Sequence, residues 1–188
     1  MEKNNKWIFL SYLLSDDLTG YGNGERILID RVRDQQNGDS STNSKILMPA
    51  HFGTHVDFPK HFGIKGQTIE DYEVSNFVFN RIGIIDISDA APKQFLIQPS
   101  NMNIESVKTS NEFLDLLIVK TGFCNQSDTE KYWKYNWGFG LGVADYLKSN
   151  FPNIKAIAFD LISLNSYQQR EIGRKAHKKF LLENNILI

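Results

Sequence analysis

Three continuous apolar runs bounded by turn residues stand out along the chain: Ile82-Gly83-Ile84-Ile85-Asp86-Ile87, Leu116-Leu117-Ile118-Val119-Lys120 and Ile157-Ala158-Phe159. Runs of this length predict strands buried at the centre of a sheet. Shorter apolar stretches predict further strands at residues 7–10, running into 11–14, and at 27–29 and 45–48. Ser15-Asp16-Asp17 and the glycines Gly20, Gly22 and Gly24 mark loops. The polar stretch 33–44 has turn chemistry and little to bury, so it predicts a surface hairpin or a mobile loop. Helical spacing takes over at 142–149, where Val143 and Leu147 share a face and Asn150 and Pro152 stop the pattern. A second helix is predicted over 169–182, after which Asn184-Asn185 turn the chain into Ile186-Leu187-Ile188, the start of another strand. Strands outnumber helices, and the helices gather in the C-terminal half. This order predicts an α/β domain around a mixed sheet or barrel.

Composition narrows the function classes. With 188 residues the chain has the length of a single domain, and it is expected to form one over 1–188. Its 41% hydrophobic, 12% aromatic and 23% charged content is ordinary for a globular protein. A net charge of −1 leaves no electrostatic footprint for nucleic acid or an anionic membrane. Lys175, Lys178 and Lys179 read as the solvated face of a helix. The one cysteine, Cys124, allows neither an internal disulfide nor a thiolate zinc cluster, and reads as a spectator thiol. The first six residues are polar and the apolar run after them is too short to span a bilayer or direct export, so a cytoplasmic location is expected.

Candidate chemistry lies in one segment. Of four histidines, three fall within eleven residues: His51-Phe52-Gly53-Thr54-His55-Val56-Asp57-Phe58-Pro59-Lys60-His61. A helix would put His51 and His55 on one face, but Gly53, Thr54, Val56 and Pro59 argue against one. On an extended segment His55 and Asp57 leave the same side, and a bend at Gly53 swings His51 back toward them. Two neutral imidazoles and a carboxylate suit zinc or manganese, and three protein ligands keep positions open, as a catalytic metal requires. His61, beyond the Pro59 turn, is suited to carry a proton to a leaving nitrogen. From spacing alone His177 reads equally as a solvated residue on a basic turn or as part of a buried stripe with Ala176 and Phe180.

The pattern His-x-Gly-Thr-His-x-Asp-x-Pro-x-His resembles the signature of the cyclase or kynurenine formamidase family of metal-dependent hydrolases. Residues 9–14 look like that family's opening strand and the loop after it, Val119-Lys120-Thr121-Gly122-Phe123 like its central strand ending in Thr-Gly-aromatic, and Phe159-Asp160-Leu161-Ile162-Ser163 like its Asp-x-x-Ser strand end. Ala176-His177 sits where the family has a histidine on its last helix. The resemblance implies a swivelling β/β/α fold, a homodimer or higher homo-oligomer, and one or two divalent cations, zinc or manganese. By carry-over His51, His55 and Asp57 hold one metal, Asp57 bridges to a second held by His177, and His61 is the acid/base. The implied reaction is hydrolysis of a non-peptide C–N bond in a small molecule such as N-formylkynurenine or a cyclic amide such as isatin.

Two departures accompany the resemblance. The family's second metal site is completed by a glutamate in the strand after the last helix, whereas residues 186–188 carry no acid and Glu183 reads as a helix-end residue. Either the chain is clipped within that strand or the second site is weak or absent. Asn165 stands where an acid often follows the Asp-x-x-Ser element, which bears on substrate contacts or on bonds behind the ligands. Asp160 and Ser163 are expected to be structural. Trp7, Phe52, Phe58 and Phe62 are candidates for an apolar pocket around an aryl substrate. The rival reading is a relative that keeps the fold and one metal but serves as a small-molecule binding or structural subunit.

Overall fold

The computed structural model describes residues 8–108 and 113–188. The chain divides into two compact units, the first made of residues 1–20 and 24–55, the second of 21–23 and 56–188.

In the first unit β1 (Leu28–Arg33) pairs antiparallel with β2 (Asn43–Leu47) in the register Leu28 to Leu47 and Asp30 to Lys45. The polar stretch between them is the predicted hairpin. Asp34 accepts a hydrogen bond from the Gln36 N–H to cap a 3₁₀ turn over Gln35–Asn37, and Gly38 closes it at φ 91°. Residues 8–14 form no strand: Ile8, Phe9 and Leu10 are strongly exposed and have no ladder partner among the described residues. An apolar run becomes a strand only where another strand's edge meets it. Trp7 lies outside the described residues.

In the second unit β3 (Ile82–Asp86), β5 (Leu116–Lys120) and β7 (Ala156–Phe159) form a parallel sheet in the order β3-β5-β7. Leu117 and Val119 of β5 are completely buried. β3 departs from the expectation of burial on both faces. It is an edge strand whose Ile84 is 62% exposed while Ile85 is buried. A parallel bridge between Leu187 and Ala156 adds residues 186–188 beside β7, as the final apolar tripeptide predicts. Two two-residue strands, β4 (Leu96–Ile97) and β6 (Gly138–Phe139), make a second small parallel pair.

Short helices α1 (Glu105–Lys108) and α2 (Glu130–Lys134) escape prediction because four or five residues hold no period to read. α3 (Val143–Asn150) buries Val143, Ala144 and Leu147, and ends where the Phe151 N–H closes on the Leu147 carbonyl. α4 (Arg170–Lys178) follows a 3₁₀ turn capped by Ser166 and runs into a π turn over Lys179–Glu183. Its buried positions Gly173, Ala176, His177 and Phe180 fall three and four apart, one stripe of the helix facing the core. Among the described residues no helix is long and apolar enough to cross a membrane. The structure is thus mixed α/β, with its α-helices mostly in the C-terminal half.

Candidate metal centre

The predicted site residues divide between the two units. His51 and His55 belong to the first, where their rings meet edge to face with centroids 5.3 Å apart. The segment is not helical, and Gly53 supplies the bend at φ 66°. The positive φ is what favours glycine there, since the Leu14 methyl 2.4 Å from an added Cβ is the end of an exposed side chain that can move aside. His55 Nδ1 lies 2.9 Å from the Gly53 carbonyl, which fixes the ring and keeps Nε2 as its outward nitrogen. Both histidines are exposed. Phe52 is buried against Gly20.

Asp57, His61 and His177 belong to the second unit. The Asp57 N–H donates to the Ile188 carbonyl at 2.7 Å, tying this residue to the C-terminal segment. Pro59 then opens the 3₁₀ turn Pro59–His61 with φ already set. The loop after it folds back over that turn, with the Lys60 N–H on the Gln67 carbonyl and Gly66 so close that a Cβ would meet Pro59 at 2.4 Å. His61 is exposed at the end of the turn, its ring 6.0 Å from that of His177.

His177 falls on the buried stripe of α4, which resolves the ambiguity of its basic neighbours: Arg174, Lys175 and Lys178 occupy the exposed face. His177 Nδ1 lies 2.7 Å from the Gly173 carbonyl, Phe62 stacks on the ring face at 4.5 Å and 27°, and Nε2 faces an Asp57 carboxylate oxygen at 3.9 Å. Asp57 and His177 are 7% and 4% exposed. With Nδ1–H donating to the Gly173 carbonyl, Nε2 is the ring nitrogen that faces the carboxylate, and a nitrogen and an oxygen donor so placed suit a shared cation. At a tetrahedral angle, zinc bonds of about 2.0–2.1 Å to nitrogen and 2.0–2.2 Å to oxygen set the two donors roughly 3.4 Å apart, so the 3.9 Å separation would close by about half an ångström around one ion.

Positioning of His177 reaches one layer further. A Cβ on Gly173 would lie 1.8 Å from Asn165 Oδ1, so the carboxamide of Asn165 occupies the place of a side chain on α4. Asn165 Nδ2 in turn donates to the Tyr21 hydroxyl at 3.0 Å, and the Asn165 N–H donates to Ser163 Oγ. The sequence departure at Asn165 is therefore felt behind a predicted ligand. Gly173→Ala is expected to cost about 1–3 kcal/mol through overpacking, measured as a lower urea midpoint. Phe62→Leu is expected to weaken metal binding about tenfold, the lower end for residues that orient a ligand, read by competition with a chelating dye.

The other candidates have partners of their own. Asp160, at the end of β7, accepts from the Thr121 N–H and hydroxyl, both at 2.7 Å, and from the Gly122 N–H at 2.8 Å. Burial alone would raise its pKa, but these bonds hold it below the usual carboxylate value. Burial pushes the Cys124 thiol up, aided by the neighbouring Asp160, so the thiol is held in its unreactive form. Glu183 forms an ion pair with Lys179 at 2.6 Å. Phe58 belongs to a three-ring group with Tyr72 and Phe77.

Comparison with known proteins gives the class. Residues 8–166 match the family described as "Putative cyclase", and the chain belongs to that family. Kynurenine formamidase from Bacillus anthracis is 29% identical over 98% of this chain and 84% of its own length. The kynurenine formamidase of a Bacillus cereus strain is 28% identical over 61% of this chain, a match spanning only 59% of that relative. Among solved structures, one described as a potential metal-dependent hydrolase with cyclase activity superposes with a TM-score of 0.72 at 18% identity, covering 95% of this chain and 77% of the other. An isatin hydrolase bound to the product analogue thioisatinate gives 0.68 at 17% identity, covering 94% and 75%. These structures share the fold.

Proposed function

We propose that this chain is a metal-dependent hydrolase that opens a non-peptide C–N bond in a formamide or small cyclic amide. The observation that carries the reading is the buried Asp57 carboxylate facing His177 Nε2 across 3.9 Å, with Nδ1 turned away to Gly173. His51, His55 and Asp57 would hold one Zn²⁺ or Mn²⁺, and Asp57 with His177 a second. When bound, such a cation makes hydroxide available near neutral pH and polarises the amide carbonyl. His61 delivers a proton to the leaving nitrogen as the C–N bond breaks, so that a formamide yields an amine and formate. Phe62 and the Gly173 carbonyl hold the His177 ring in place.

The test is turnover. Protein treated with chelator and reloaded with zinc or manganese should hydrolyse N-formylkynurenine or isatin, and His55→Ala should lose both metal and activity. The rival reading, a non-catalytic subunit with one metal, draws on Glu183 being paired with Lys179. It would be supported by metal uptake without turnover and rejected by turnover that His61→Ala abolishes.

A second copy of the chain is the proposed partner. β1 and β2 expose Leu28, Ile29, Ile46 and Leu47, apolar residues on both faces of a two-stranded sheet, and such a hairpin is marginal in water unless covered. Light scattering should give at least a dimer, shifted toward monomer by Ile46→Lys.

A further inference from the structure

We propose that Arg170, held flat on Tyr167 beside the Tyr21 hydroxyl and one helical turn from Arg174, forms a subsite for a carboxylate carried by the substrate at the end remote from the bond that breaks. This inference rests on the amide-hydrolase reading above.

The Arg170 guanidinium carbon lies 4.0 Å from the Tyr167 ring centroid and 5.9 Å from that of Tyr21. Tyr167 is itself braced edge-on by Trp133. The chain passes over Tyr167 at Gly22, whose φ of 65° and 3.1 Å clearance from the ring leave little room for a side chain. An arginine laid on an aromatic face has much of its rotamer freedom removed before any ligand arrives, and its fork of N–H donors matches a carboxylate edge.

The surrounding charges point the same way. Arg170 and Arg174 are four apart on α4, so they share a face, where like charges repel. Among the described residues no carboxylate lies within 4.0 Å of either one. Glu171, in the same turn, is taken by Lys175 at 2.7 Å. Asn165 Nδ2 occupies an acceptor position of the Tyr21 oxygen at 3.0 Å, which leaves the phenol proton for another partner. Burial raises the Tyr21 pKa, keeping that proton in place. Two guanidiniums and a hydroxyl donor with no acid to satisfy them suit an anion with a planar edge.

Distance gives the substrate class. Arg170 and His177 are seven residues apart on α4, two turns and about 10 Å of helix rise, with Arg170 at the exposed rim beside the stripe that buries His177. A formamide with an amino-acid tail reaches between two such points. A compact neutral lactam such as isatin gives Arg170 nothing to bind. The subsite therefore favours an acyclic amide bearing a carboxylate.

The experiment compares kcat/KM for N-formylkynurenine with that for formanilide, in metal-loaded wild type, Arg170→Gln, Arg170→Lys and Arg174→Gln. The expected result is that the ratio of the two values falls at least tenfold in Arg170→Gln, chiefly through KM, is partly recovered in Arg170→Lys, and falls less in Arg174→Gln, which leaves the stacking on Tyr167 intact. Calorimetric titration with kynurenine, which needs no turnover, should show affinity weakened by a similar factor in Arg170→Gln. An unchanged ratio, or equal kynurenine affinity in wild type and Arg170→Gln, or no kynurenine binding to wild type, would overturn the subsite. Failure of metal-loaded wild type to hydrolyse either amide would instead refute the hydrolase reading, and the titration would still decide the subsite.

Discussion

Asp57→Asn is expected to lower turnover of any amide substrate by at least a thousandfold and to abolish retention of the metal through chelator-free purification. Asparagine keeps the volume and one carbonyl oxygen but loses the charge, and the proposed centre needs an anionic oxygen between two sets of imidazoles. The stability effect should run the other way without metal. On the proposed two-metal reading the His177 ring is a neutral ligand, and a buried carboxylate 3.9 Å from its Nε2 is costly when no cation lies between them, so chelator-treated Asp57→Asn should unfold at or above the temperature of chelator-treated wild type. Zinc at a hundredfold excess over its dissociation constant should then stabilise wild type by about 2.7 kcal/mol and leave the variant unchanged. Parallel thermal scans with and without zinc read this crossover directly. A variant that is destabilised equally in both conditions would mark Asp57 as a purely structural acid.

Asp160→Asn is expected to destabilise the second unit by about 3 kcal/mol, the scale of hydrogen bonds made to a charged acceptor. The Thr121 N–H and hydroxyl and the Gly122 N–H converge on the carboxylate, and an asparagine cannot accept all of them, because its NH₂ must face at least one N–H or hydroxyl. The break frees the Thr121-Gly122 turn at the end of β5 from the end of β7. Its pH dependence has a definite sign. Asp160 has a folded pKa below its unfolded value, so its contribution is fully present above the ordinary value of about 3.9 and is lost as pH falls through the lower folded pKa. Urea midpoints of wild type and Asp160→Asn should differ most at neutral pH and converge in strong acid.

Much of this arrangement was legible in the residues, and the parts that were not share physical causes. The runs at 82–87, 116–120 and 157–159 announce parallel strands, yet periodicity says nothing about which strand lies at the edge, so Ile84 reads as buried and is exposed. Residues 8–10 have strand composition but lack a partner, and pairing is a tertiary event. The bend at Gly53 could be read from chemistry because only glycine takes a positive φ freely. The burial of His177 could have been settled too, had Gly173 been counted as part of the apolar stripe with Ala176 and Phe180. A glycine inside a helix costs about 1 kcal/mol relative to alanine, and here it makes room for Asn165. The Thr-Gly and Asp-x-x-Ser strand ends were visible separately, but only the sheet order joins them through Asp160. Arg170 on Tyr167 left no periodic signal.

The most direct measurement of the central claim is anomalous diffraction from crystals grown with zinc, collected on both sides of the zinc absorption edge. The account predicts a peak with His51, His55 and Asp57 side-chain atoms within about 2.0–2.3 Å of it, whether or not a second ion sits beside His177. Crystals holding zinc only at sites remote from these three residues would contradict it.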